Sequence, residues 1–175
     1  MHLSACGGRK TLVPPGAVSP ALFGGLLKQY GAEALRNIRG TMEDQNGAAV
    51  RPIKALHIED DPGFARAVAR LLRIQGYEVT SAASGSEAVQ VVENGLVPDV
   101  ILADYHLPLE MTGDQVVAEI VERLGFRPPT IILASVESPN VEKVMAVADR
   151  IFDKPVDMLL VIHEIQHLLL RRYGR

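Results

Sequence analysis

The sequence predicts an α/β fold: a five-stranded parallel sheet with helices on both faces, preceded by an N-terminal extension. Three observations carry that reading. From about residue 53 onward, short apolar runs alternate with amphipathic segments, five of each in about 120 residues. Alternation of this kind marks strand–helix–strand units. The runs are also continuous, as in Val100-Ile101-Leu102-Ala103, which is expected of strands covered on both faces. Finally, 47% of the residues are hydrophobic, but only 5% are aromatic and Trp is absent, so Val, Ile, Leu and Ala must build the core.

The elements follow in order. Ile53–Ile58 is the first strand. Asp61 caps a helix over roughly 62–75, with Pro62 at its first position and Phe64, Val68, Leu71 and Leu72 on one side. Gly76 stops it, and Tyr77–Ala82 is the second strand. Ser84 and Glu87 form a capping box for a helix to about Asn94. Pro98-Asp99 leads into the third strand, Val100–Ala103. Thr112 and Gln115 form a second capping box, opening a helix to about Leu124. Thr130–Leu133 is the fourth strand, and Ser138-Pro139 opens a helix to about Ala148. Arg150–Asp153 is a short fifth strand, and Asp157 caps a last helix to about Arg172.

Residues 1–51 form the extension. Three Gly and three Pro in residues 1–20 point to disorder. Over 21–39, Leu22, Phe23, Leu26, Leu27, Tyr30, Leu35 and Ile38 recur at helical spacing, although Gly24, Gly25 and Gly31 weaken that helix. Residues 40–51 read as a polar linker. Charge divides along the same line. Residues 1–51 hold six Lys/Arg and three Asp/Glu, whereas residues 52–175 hold twelve and eighteen. An acidic main domain argues against nucleic acid as a direct partner. Cys6 is the sole cysteine, so no intramolecular disulfide is possible. Only two residues precede Leu3-Ser4-Ala5-Cys6, too few for a lipoprotein signal. No stretch has the length for membrane insertion. A cytoplasmic protein is the expectation.

Right-handed crossovers turn this element order into a doubly wound sheet, with the flavodoxin-like strand order 2-1-3-4-5. In such folds the site lies at the carboxyl ends of the central strands. Glu59, Asp60 and Asp61 follow strand one and Asp104 follows strand three. Ala134 and Ser135 follow strand four, and Lys154-Pro155 follows strand five. Several carboxylates, a small or hydroxyl residue and one lysine therefore converge on one rim. Packed carboxylates repel, and one pKa rises unless a cation intervenes. Carboxylates and a backbone carbonyl are hard oxygen ligands suited to Mg2+. With the cation in place Asp104 stays ionised and can attack phosphorus, and Lys154 supplies a second positive charge. Phosphoryl transfer needs mainly positioning and charge neutralisation.

Ile-Glu-Asp-Asp-Pro (58–62), Asp-Tyr-His-Leu-Pro (104–108) and Asp-Lys-Pro (153–155) resemble the three signature segments of two-component receiver domains, in order and on the matching strand ends. The resemblance covers residues 52–172. It implies that Asp104 accepts a phosphoryl group from a histidine kinase or phosphotransfer protein. It implies that Glu59, Asp60 and Asp104 bind Mg2+ together with the backbone carbonyl of His106, and that Lys154 pairs with the phosphoryl group. Asp61 is better assigned as a helix cap. Output is expected through a downstream protein partner or a homodimer, without an output domain of its own.

Two positions depart from the family pattern. A Thr or Ser usually ends strand four; the ungapped match puts Ala134 there, with Ser135 one residue late. Either Ser135 fills the role through a one-residue shift or the hydroxyl is missing. The usual switch aromatic sits three residues before the lysine, which here is Ile151; Phe152 beside it should point to the opposite face. These departures motivate an alternative, a phosphorylation-independent pseudo-receiver that acts by binding alone. A haloacid-dehalogenase-type hydrolase also uses an aspartyl phosphate, but it places a second Asp two residues on, where His106 stands here. His163-Glu164-Ile165-Gln166-His167 matches the HExxH zinc motif, yet no third ligand follows it. Gly7-Gly8-Arg9-Lys10-Thr11 lacks the first glycine of a phosphate loop and a preceding strand.

Overall fold

In a computed structural model of the chain, the described residues are 41–42, 51–108, 111–135 and 140–173. The 21–39 helix, Cys6, the 7–11 segment and Ser138-Pro139 lie outside them. Five strands, β1 (Lys54–Ile58), β2 (Glu78–Ala82), β3 (Val100–Asp104), β4 (Thr130–Ala134) and β5 (Arg150–Asp153), form one sheet in the order β2-β1-β3-β4-β5. Every neighbouring pair is parallel. Between and after them run α1 (Pro62–Ile74), α2 (Gly85–Glu93), α3 (Gly113–Leu124), α4 (Val141–Val147) and α5 (Met158–Tyr173). The expected fold class and strand order are those observed.

Strand residues alternate between two apolar layers, because successive side chains point to opposite faces. Ala55, Val79, Val100, Leu102, Ile131 and Leu133 pack with Val68 and Leu72 of α1 and Val161, Ile165 and Leu169 of α5. Leu56, Ile58, Ile101 and Ala103 pack on the other face with Val89 and Val92 of α2 and Val116, Val117 and Ile120 of α3. Ile132, Val144 and Ala148 extend that second layer beneath α4. Burying each such Ile or Leu contributes about 1.5–3 kcal/mol relative to exposure. All five residues of β3 and of β4 are buried, as the continuous runs require.

The helix starts follow local chemistry. Asp61 accepts from the Phe64 N–H and Ser84 from the Glu87 N–H. The Glu87 carboxylate, however, reaches the Ala83 N–H at 2.7 Å rather than that of Ser84, so this capping box is displaced by one residue. Gln115 closes its box on the Thr112 N–H at 2.9 Å. Gly76 takes φ 91°, which lets the chain reverse after α1 at little steric cost. Asn140 caps α4 through the Lys143 N–H, so that helix is described from Val141 rather than from Ser138-Pro139. Within the expected 40–51 linker, Met42 and Thr41 pair antiparallel with Arg51 and Pro52. Arg51 is held there by a two-pronged bond to Asp99, at 2.6 and 2.7 Å.

Candidate functional site

Strand pairing sets the site. Asp104 ends β3 opposite Leu133, Ile58 stands beside Ala103, and Ala134 stands beside Asp153. Residues 59, 104, 134 and 154 therefore meet at one end of the sheet. Glu59 and Asp104 are buried, at 3% and 6% exposure, while Asp60 is exposed. The Lys154 ammonium lies between the two buried carboxylates, donating to Asp104 Oδ2 at 2.8 Å and Glu59 Oε2 at 3.1 Å. Its own backbone N–H donates to the Ala134 carbonyl at 2.7 Å, which ties the loop after β5 to β4. The Lys154–Pro155 peptide is cis. Asp104 Oδ1 also accepts from the His106 N–H at 3.3 Å.

Electrostatics follow from this packing. Burial pushes the Glu59 carboxyl up, the Lys154 hydrogen bond pulls it down, and the Asp104 charge pushes it up again, for a net rise. Burial works against the Lys154 ammonium, but hydrogen bonds to Asp104 and Glu59 and their charges outweigh it, so its pKa is raised. One lysine thus faces two buried carboxylates with a third at the rim. Carboxylate oxygens of Glu59, Asp60 and Asp104 lie within 4.8 Å of one another, and this is the one such metal-competent group among the described residues. An oxygen-only set with open rim positions fits Mg2+ with retained waters.

The remaining expected residues fall as follows. Ala134 is fully buried at the end of β4, and Ser135 is exposed just beyond it. Ile151 packs against the Ile132, Val144 and Ala148 cluster, as Tyr105 does, while Phe152 packs in the opposite layer. The expectation of opposite faces holds. The His106 ring is exposed and meets the Tyr105 ring edge-on, with centroids 5.0 Å apart. The zinc-motif helix assembles no such ligand group among the described residues, and Glu164 is engaged with Arg150 at 2.8 Å.

Three contributors escaped sequence reasoning. A Cβ on Gly113 would stand 2.1 Å from the Asp104 carbonyl oxygen, so only glycine lets α3 start against the end of β3. Its N–H donates to the Tyr105 carbonyl at 2.8 Å. A glycine directly after a capping Thr was the available signal. Phe64, read as a core residue, lies 5.0 Å beneath the Lys154 ammonium. His57, one residue before the end of β1, is 1% exposed, and neither ring nitrogen has a hydrogen-bond partner.

Over residues 55–166 the chain matches the family described as the response regulator receiver domain, and it belongs to that family. Receiver domains are the signalling modules of two-component systems; they bind Mg2+ at an acidic pocket and interact with histidine kinases and phosphotransfer proteins. The transcriptional regulatory protein GlrR of Escherichia coli (strain K12) is 33% identical over 110 residues, which is 61% of this chain and 24% of that protein. Protein Rrf1 of Nitratidesulfovibrio vulgaris is 27% identical over 118 residues, covering 67% of this chain and 83% of its own. The chain spans less than a third of the length of several curated relatives that it matches. Among solved structures, the chemotaxis protein CheY4 of Vibrio cholerae superposes with a TM-score of 0.58 at 27% identity, over 66% of this chain and 98% of that one.

Proposed function

We propose that Asp104 is the phosphoacceptor of a two-component phosphorelay, charged by a histidine kinase or histidine phosphotransfer protein. The observation that carries this reading is Lys154 held between buried Glu59 and Asp104, at 3.1 and 2.8 Å. A carboxylate oxygen of Asp104 forms the new P–O bond. The P–N bond of the donor phosphohistidine breaks, and its electron pair returns to the imidazole nitrogen. Lys154 neutralises charge on the transferred group. Glu59, Asp60, Asp104 and the His106 carbonyl would hold Mg2+, which screens the incoming phosphoryl oxygens from the carboxylates. His106 N–H keeps the Asp104 side chain oriented. The protein is a signalling receiver rather than a turnover enzyme, and it signals through a downstream protein partner or its own dimer. The cytoplasm is the compartment that suits it; no helix among the described residues is long and apolar enough to cross a membrane.

Acetyl phosphate with Mg2+ should label the wild type and not Asp104→Asn. An Asp104→Asn variant labelled like the wild type would sink the assignment. Ser135 is the hydroxyl residue next to buried Ala134. Slower phosphorylation of Ser135→Ala assigns the phosphoryl contact to Ser135; an unchanged rate leaves that position to Ala134. Ala134 and Ile151 favour a second reading, a pseudo-receiver acting by binding alone. Its mark is partner binding unchanged by Asp104→Ala together with no Mg2+ affinity.

A further inference from the structure

At the opposite end of the sheet from Asp104 lies an open pocket of about 220 Å³, lined by Arg127, Arg150, Arg171, Arg172, Asp149 and Leu168 among others. It gathers four guanidiniums in a domain whose residues 52–175 carry only twelve Lys/Arg in all, against eighteen Asp/Glu. Arg171 and Arg172 in the last turn of α5 complement the helix dipole. That alone does not explain why Arg127, from the loop before β4, and Arg150, at the start of β5, meet them.

Two of the four are fixed in place. Arg127 donates to Asp149 Oδ1 at 2.8 Å and to the Val147 carbonyl at 3.1 Å. Arg150 donates to Glu164 at 2.8 Å and to the Asp149 carbonyl at 2.7 Å. A guanidinium has five N–H donors, so each keeps donors unspent. Arg171 and Arg172 form no salt bridge among the described residues and are exposed. Four guanidiniums against the carboxylates of Asp149 and Glu164 leave two positive charges, the complement of a dianion. Arginine forks match the oxygens of a phosphate in pairs. The volume is below the range of about 300–1,000 Å³ that holds drug-sized ligands, which limits the occupant to a small molecule.

We propose that these four arginines form a binding site for a small phosphate monoester, separate from the phosphoacceptor rim. The site stands at one end of β5 and Lys154 follows the other, about 13 Å away at the usual strand rise. The proposal does not depend on the role of Asp104.

The test is calorimetry on the full chain without Mg2+, titrating glycerol 3-phosphate at 0.15 M salt, with glycerol as the neutral control and inorganic phosphate as competitor. The expected result is one saturable site that ignores glycerol, is competed by phosphate and is unchanged in Asp104→Asn. Arg171→Gln/Arg172→Gln should weaken it at least tenfold. Arg171→Lys/Arg172→Lys, which keeps charge but not the forks, should fall between. Both residues are exposed, and matching circular dichroism melts would show that the fold is intact. Loss of binding in Asp104→Asn would place the ligand at the rim and overturn the proposal. So would equal binding by the Gln pair, an absence of saturable binding, or tighter binding of a polyglutamate peptide, which would mark a protein-docking surface instead.

Discussion

Gly113→Ala offers a sharp test of how the fold builds the Asp104 end of β3. The added Cβ would meet the Asp104 carbonyl oxygen at 2.1 Å, its carbon at 3.0 Å and Tyr105 Cα at 3.1 Å. All three are backbone atoms, with no rotamer into which to escape. Alanine is favoured over glycine within a helix by up to about 1 kcal/mol. Overpacking that forces backbone shifts costs about 1–3 kcal/mol, and an overlap this deep belongs at the upper end. The steric effect wins, and net destabilisation of about 1–2 kcal/mol is expected. Relieving the overlap moves Asp104 or Tyr105, so phosphorylation by acetyl phosphate should slow at least tenfold. Gly85→Ala serves as the control: its Cβ meets the Val116 side chain at 2.5 Å, between α2 and α3. It should lower stability while leaving the phosphorylation rate near wild type. Urea denaturation and labelling kinetics read both quantities. Gly113→Ala with wild-type stability and rate would refute the argument.

Other predictions follow from the same geometry. Lys154→Ala removes the cation between Glu59 and Asp104 and should abolish labelling, while Mg2+ affinity is retained through the three carboxylates; wild-type labelling kinetics would contradict this. Burial, with help from the Lys154 charge, holds His57 down to about 4. Its folded pKa lies below its unfolded value, so folding is fully favoured at neutral pH and loses stability as pH falls through about 6.5 toward 4. Between pH 7.5 and 5 that loss is about 2 kcal/mol. It should appear in the stability difference between wild type and His57→Leu, in which the opposite slope from Glu59 cancels. Identical pH slopes in the two proteins would contradict it. Arg51→Ala should destabilise by about 1–2 kcal/mol in thermal melts, because it strips the paired bond from buried Asp99 and leaves that carboxylate the Lys54 N–H. An unchanged melting temperature would contradict this.

The sheet and its order were legible because β3 and β4 are continuous apolar runs and because Asp61, Ser84 and Thr112 mark helix starts locally. The rim was legible because Glu59, Asp104 and Lys154 each sit one step past or at a strand end, where topology brings distant residues together. What was not legible depends on tertiary proximity. Nothing in the sequence says that Gly113 meets the Asp104 carbonyl, that Phe64 reaches under Lys154, or that His57 lacks a partner. The shifted box at Ala83 and the pairing of Thr41–Met42 with Arg51–Pro52 are likewise set by contacts rather than by residue type. The arginine pocket joins the loop before β4, the start of β5 and the end of α5, segments that no single motif links.

The most direct test of the central claim is mass spectrometry of the full chain after acetyl phosphate treatment with Mg2+. The account predicts a single phosphoryl group on Asp104, absent in Asp104→Asn and after chelation of the metal. An unmodified protein, or a phosphoryl group carried on another residue, would contradict it.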